Sequence, residues 1–355
     1  MGEILIVTGS AYSNNALFDE ASPLNRDGVL RQFSILKKAL GKKGICLKTA
    51  DAGKIEKAKA IFFMEIPSPT TPYLRRALSS SAKESLFAIL YEPPVVRPEN
   101  YLRSLHAPFA KILTWHDSFV DGKKYIKNNF TMPFLQKEKI PLPNIPFSQK
   151  KLLCMVSANK YSPLPGQLYT KRAQAAKYMQ KYHPHAFDLY GVGWNLPIFH
   201  SPLAQLIPIN RALRATARLG PLSPFNLRKN LAYPSYKGAI KSKTDTMSKY
   251  KFCICFENQE KIPGYISEKI FDALIAGCVP IYLGASNIGK YVPKECFIDM
   301  RKFSGFGELH KFISSITGWE FLQYQRAAQN FLNSEKSAPF KIDAFVSNFK
   351  KISGV

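Results

Sequence analysis

Phe252-Cys253-Ile254-Cys255-Phe256, Ile270-Phe271-Asp272-Ala273-Leu274-Ile275-Ala276 and Val279-Pro280-Ile281-Tyr282-Leu283 decide how this chain folds. The outer two are apolar runs of strand length. The middle one is apolar nearly all round, as a covered helix is. Two buried strands joined by a buried helix form a βαβ unit, whose strands run parallel beneath cover on both faces. Upstream, strand Lys151–Val156, a helix over 171–181 and strand Phe187–Tyr190 repeat the alternation. Gly191 and Gly193 follow that strand, and their Gly-x-Gly spacing marks a tight turn without specifying a ligand.

The first half carries a second set. Apolar runs at 4–7, 45–47, 60–64, 86–91 and 112–115 read as strands, and Val29, Leu30, Phe33, Leu36 and Leu40 have helical spacing that Gly41 and Gly44 end. Pro133, Pro141, Pro143 and Pro146 mark a linker between the halves. With 355 residues the chain is longer than one core usually sustains. The expectation is an α/β protein of two Rossmann-like domains facing a cleft, over 1–145 and 146–335, with 336–355 as a closing helix.

Fifty Lys and Arg against 25 Asp and Glu leave a net charge of +25, which favours anionic partners. Nucleic acid is not the expected one, because no recognised binding motif occurs and the charge is spread through both halves. From Leu189 to Thr244 there is no acidic residue, and Arg211, Arg214 and Arg218 share a helical face behind Leu203, Leu206, Ile207 and Ile209. That segment, or the tail with Ile342, Phe345, Val346, Phe349 and Ile352 beside Lys341, Lys350 and Lys351, would suit an anionic membrane surface. The competing reading of the tail is a closing helix on the protein's own core. No apolar run reaches the ~20 residues of a membrane span. The start lacks the cationic and apolar regions of a signal peptide. A cytoplasmic protein, peripheral at the inner face of a membrane, is expected. Cys46, Cys154, Cys253, Cys255, Cys278 and Cys296 form no Cys-x-x-Cys and read as free thiols, with Cys253 and Cys255 in the core. Scattered histidines and the absence of Asp-x-Asp argue against a metal site.

Ligands of open α/β sheets bind beyond the carboxyl ends of the strands. The run 252–256 enters Glu257-Asn258 and a loop with Pro263-Gly264. The next helix opens with Tyr265-Ile266-Ser267-Glu268-Lys269. Ser267 suits the N-cap and Glu268 the positive end of the helix. Asn258, Tyr265, Glu268 and Lys269 therefore meet at one anion-binding corner, unless Ser267-Glu268 is a plain cap and Lys269 is solvated. In the first half, Glu92 ends the strand over 86–91 before Pro93 and Pro94. Glu65 ends the strand over 60–64, and His116-Asp117 follow the next one.

The string Lys249-Tyr250-Lys251-Phe252 … Phe256-Glu257-Asn258 … Gly264-Tyr265-Ile266-Ser267-Glu268-Lys269-Ile270 … Gly277-Cys278-Val279-Pro280-Ile281-Tyr282-Leu283-Gly284 … Tyr291-Val292-Pro293 closely resembles the signature of the α-1,3/1,4-fucosyltransferases, glycosyltransferase family 10. The resemblance is strong over about residues 236–303 and weaker back to Lys151. It departs from the usual pattern at Gln259 and Ser267. It implies a GT-B fold, a GDP-fucose donor held by the second domain, and inverting transfer to a GlcNAc- or Gal-containing glycan, lipid-linked glycans included. It further implies that Asn258 and Tyr265 contact the phosphates or fucose, and that Glu268 contacts the fucose ring or ribose and counts with Glu92 among the catalytic residues. Arg172, after Val156-Ser157-Ala158-Asn159, matches the family's phosphate-binding Arg, with Lys171 as competitor. Lys269 and Arg172 would stabilise the leaving GDP without metal or other cofactor. Glu92 matches the family's general base; Glu65 is the rival, and His116-Asp117 would line the acceptor side. A different nucleotide-sugar donor on the same fold is the alternative, ahead of a basic nucleic-acid-binding protein.

Overall fold

The computed structural model describes residues 2–80, 82–141, 145–195 and 233–355. Arg211, Arg214, Arg218 and the apolar residues before them lie outside the described residues. In the first half the strands are β1 (Gly2–Val7), β2 (Ile45–Thr49), β3 (Ala60–Met64), β4 (Leu86–Leu90), β5 (Lys111–Thr114) and β6 (Tyr125–Lys127), with helices α1 (Arg31–Gly41) and α2 (Pro72–Leu78). All pair parallel, in the order β2-β1-β3-β4-β5-β6. The short β6 has no sequence signal of its own, since Tyr125-Ile126-Lys127 is too brief to show a period.

The second half holds β7 (Lys151–Val156), α3 (Tyr169–Tyr182), β8 (Phe187–Tyr190), α4 (Lys243–Met247), β9 (Tyr250–Phe256), α5 (Glu268–Ile275), β10 (Val279–Leu283), β11 (Ile298–Asp299), α6 (Phe306–Ser315) and α7 (Gly318–Leu332). Its sheet order is β11-β10-β9-β7-β8, again parallel. Each order reverses direction once, between β1 and β3 and between β7 and β9. At such a reversal the flanking loops diverge and leave a crevice beyond the strand ends. Glu65 and Glu257 follow β3 and β9, so both stand at these crevices.

Buried Ile, Leu and Phe side chains cover both faces of the first sheet and fill the second. The last helix, α8 (Ile342–Ser353), returns to the first sheet, where Phe349 stacks on Phe62 with ring centroids 3.7 Å apart and Phe345 meets Phe33 edge-on. Ile342, Phe345, Phe349 and Ile352 are thereby buried, so of the two readings of the tail the structure has the helix packed on the protein's own core, and its apolar face is not open to a membrane. The proline-marked stretch is held at its described start: Ile140 is buried with α5 and α7, and Arg31 pairs with Glu138 at 2.6 Å, while Pro143 lies outside the described residues. All six cysteines are free, and all but Cys46 are buried.

The two halves touch closely. Asp117, after β5, pairs with Lys127 at 2.6 Å and accepts hydrogen bonds from Asn287 Nδ2 at 2.7 Å and from the Tyr291 hydroxyl. Gly264 adopts φ +82°, and a Cβ there would stand 2.4 Å from the Trp115 carbonyl oxygen. Only glycine fits so close an approach.

Candidate functional site

The corner foreseen after β9 is built around a carboxylate. Glu257 has no solvent exposure; its Oε1 accepts the Ser267 amide at 2.8 Å and its Oε2 the Ser267 hydroxyl at 2.6 Å. The Lys269 ammonium lies 3.5 Å from Glu257 Oε2 and 3.0 Å from Ser267 Oγ. Burial pushes the Glu257 carboxyl above the ordinary range, and Lys269 is the main opposing charge. Ser267 caps α5 as expected, its Oγ facing the Lys269 amide at 3.5 Å. Lys269 is mostly covered and not a solvated surface cation. Glu257 escaped the sequence reading because its strand-end position alone gave it no chemistry; being next to Asn258 was the available signal.

Glu268 is half-exposed and reaches Lys243 at 3.6 Å and Lys269 at 3.7 Å. Burial opposes its ionisation, but Lys269 and Lys243 outweigh that and hold it down at about 2. Lys243 also pairs with Asp272 at 2.7 Å. In the sequence it was one more cation of the acid-free segment, and only the tertiary fold brings it to α5. Arg172 is 3% exposed and donates from Nε and Nη2 to the Phe256 carbonyl at 3.1 and 2.6 Å, and from Nη2 to Asn258 Oδ1 at 3.0 Å. It thus holds the end of β9 and orients Asn258, with Nη1 outside these bonds. Lys171 turns away, its ammonium 5.2 Å from the Phe306 ring centre. Tyr265 is buried against Trp115, ring centroids 4.6 Å apart, at the seam between the halves.

Across the seam stands Glu92, its carboxylate free of hydrogen bonds from the described residues. Burial lifts it above the ordinary carboxylate range, and the charges that most offset this are Lys269 and Lys160 of the second half. The loop behind it is tied across as well, since Val95 donates its amide to Gln259 Oε1 at 3.1 Å. Gln259, a departure from the family pattern, therefore has a structural task. Glu65 sits differently from Glu92: its carboxylate accepts the amides of Tyr91 at 3.1 Å and Glu92 at 3.0 Å, and the Asn100 side-chain amide. Burial raises it to about 7. Asp117 is committed to the interdomain clamp, and the His116 ring stacks on Phe119 at 4.5 Å.

Residues 229–332 match the family described as Glycosyltransferase family 10 (fucosyltransferase) C-term. This stretch resembles the family 10 fucosyltransferases. It contains Asn258, Tyr265, Glu268 and Lys269, while Glu92 and Arg172 lie outside it. Among relatives, an α-(1,4)-fucosyltransferase of Arabidopsis thaliana is 43% identical over 70 residues, 20% of this chain and 17% of that protein. The α-(1,3)-fucosyltransferase FucT of Helicobacter pylori is 36% identical over 74 residues, 21% of this chain and 15% of that one. Each alignment therefore spans less than a fifth of the relative's length. A crystal structure of an α1,3-fucosyltransferase superposes with a TM-score of 0.53 at 14% identity, covering 99% of this chain and 90% of that one. Anabaena Alr3699/HepE, in complex with UDP and glucose, gives a TM-score of 0.54 at 12% identity over the whole of both chains. At such identities the likeness is one of fold, and the fold is the GT-B arrangement of two parallel α/β domains.

Proposed function

We propose that this chain is an inverting glycosyltransferase that moves fucose from GDP-fucose to a hydroxyl of a GlcNAc- or Gal-containing glycan. The observation that carries the reading is the opposition of Glu92 and Lys269 across the seam between the two sheets, within a chain whose second half resembles family 10. A carboxylate without internal hydrogen bonds, lifted by burial, is a base ready to accept a proton. The acceptor hydroxyl attacks the anomeric carbon as Glu92 takes its proton, and the bond to the β-phosphate oxygen breaks with inversion. Negative charge then grows on the leaving diphosphate. Lys269, Arg172 through its remaining nitrogen, and the amino end of α5 are the groups that would meet it. Asn258, oriented by Arg172, and Tyr265 would contact the phosphates or fucose, and Glu268 the sugar or ribose.

The sequence has no Asp-x-Asp, so the cationic side chains are assigned the charge that a metal would otherwise carry, and no cofactor is invoked. Among the described residues no helix is long and apolar enough to cross a membrane. Peripheral residence at an anionic, cytoplasm-facing membrane rests on the +25 charge and the acid-free stretch before Asp245, the tail being used internally. Calorimetric titration with GDP, UDP and their sugar conjugates tests the donor. Preference for GDP and GDP-fucose is expected, and tight UDP-sugar binding with none for GDP would replace the donor while leaving the fold reading intact. Transfer to N-acetyllactosamine, with the anomeric configuration read by NMR, tests the reaction and its stereochemistry.

A further inference from the structure

Glu65 follows β3 at φ +72°, a left-handed conformation that residues other than glycine seldom adopt. Strain of this kind persists where surrounding contacts over-determine it, and here they converge on one neighbour. The register of β3 on β4 sets Met64 beside Ile89, which brings Glu65 level with the end of β4. Glu65 Oε1 accepts the amides of Tyr91 at 3.1 Å and Glu92 at 3.0 Å, and Oε2 accepts the Asn100 side-chain amide. Asn100, wholly buried, also donates to the Glu92 carbonyl at 3.1 Å and accepts the Ile66 amide at 2.9 Å. The Tyr101 hydroxyl donates to the same Glu92 carbonyl at 3.0 Å. Both peptide groups of Glu92 are thus held, the amide by Glu65 and the carbonyl by Asn100 and Tyr101, while its carboxylate is left free for the cleft.

We propose that Glu65 is the positioning residue of the reaction: with Asn100 and Tyr101 it fixes the Glu92 backbone so that the Glu92 carboxylate meets the acceptor hydroxyl. This rests on the reading of Glu92 as the base. Glu65 itself is badly placed for that task, because its oxygens are already occupied by the N–H donors of Tyr91, Glu92 and Asn100 and neither is free for a substrate hydroxyl. Its effect is on geometry, and a displacement near 1 Å at a reacting group can cost about 10²-fold in rate.

The test measures kcat and KM for fucose transfer from GDP-fucose to N-acetyllactosamine in the full chain, Glu65→Gln, Glu92→Gln and the double variant. Rates are normalised to folded enzyme by GDP-binding stoichiometry. Glu65→Gln should lower kcat by about 10- to 10²-fold with KM for the donor and GDP affinity within about twofold. The double variant should be no slower than Glu92→Gln, because a residue acting through Glu92 has nothing left to position. Glu65→Asp, which keeps the charge but retracts it by one methylene, should be intermediate; it also serves if the Gln variant does not fold. Impaired Glu92→Gln with wild-type kcat in the folded Glu65 variants overturns the positioning role alone. So does a double variant slowed by the product of the two single effects. A near-normal Glu92→Gln beside an impaired Glu65→Gln makes Glu65 the base and overturns both readings.

Discussion

The Lys269 ammonium and the Glu257 carboxylate form an ion pair at 3.5 Å beneath the start of α5, with Glu257 wholly buried. The pair would join stability to ligand binding, since Lys269 neutralises an inner carboxylate and is also the cation proposed for the donor corner. Removing one partner of such a pair leaves the other desolvated and unpaired, a loss of about 3–5 kcal/mol. Lys269→Ala should therefore lower the melting temperature and weaken GDP binding together. Calorimetry and thermal denaturation read both, and unchanged GDP affinity would take Lys269 out of the donor site.

Glu92 has the opposite character, because no hydrogen bond of the described residues depends on its carboxylate. Glu92→Gln should reduce kcat by about 10²–10⁴, with thermal stability and GDP affinity nearly unchanged. Steady-state kinetics with N-acetyllactosamine as acceptor decide it, and a kcat near wild type would remove Glu92 from proton transfer.

The pH dependence of stability should carry the mark of Glu65. Its folded value is about 7 against an ordinary 4.5, so the folded chain binds this proton more tightly than the unfolded one. Its contribution is favourable below 4.5 and is lost as pH rises toward 7. Glu65→Gln should flatten the decline of melting temperature across that interval. An unchanged slope would show that Glu65 titrates alike in both states.

Burial lifts Glu92 as well, so the acid limb of kcat should fall at a pH above the ordinary carboxylate range. A base works deprotonated, and activity is therefore lost as pH drops through the raised value. A pH–rate profile flat down to pH ~4 would contradict a buried carboxylate as base.

Gly264→Ala tests the seam. The new Cβ would press on the Trp115 carbonyl at 2.4 Å from a backbone at φ +82°. A loss of about 1–3 kcal/mol is expected from the strained conformation alone, with more from the clash between the halves. Denaturant titration should show it, and wild-type stability would mean that the two sheets separate freely at this point.

The strands and the helix that define the fold could be read from the sequence because burial on both faces writes itself as uninterrupted apolar runs. Val279–Leu283 and Ala60–Met64 stand in the structure with the bounds that their composition implies. The corner at Asn258, Ser267, Glu268 and Lys269 was legible for a related reason: these residues lie within a dozen positions on one strand-end and helix-start, where local geometry alone gathers them. Glu257, Lys243 and Gln259 were not, because their tasks are set by partners that chain distance hides. Lys243 meets Asp272 across 29 residues, and Gln259 meets Val95 across 164. The distinct environments of Glu92 and Glu65 were equally invisible, since both are carboxylates closing apolar strands. Only the parallel register of β3 and β4, with Asn100 buried behind them, engages one with amide donors and leaves the other facing the cleft. Likewise the tail's apolar stripe fits a membrane or a core equally well by periodicity. The packing of Phe349 on Phe62 decided for the core, because an apolar face buried within its own fold is not available to a bilayer.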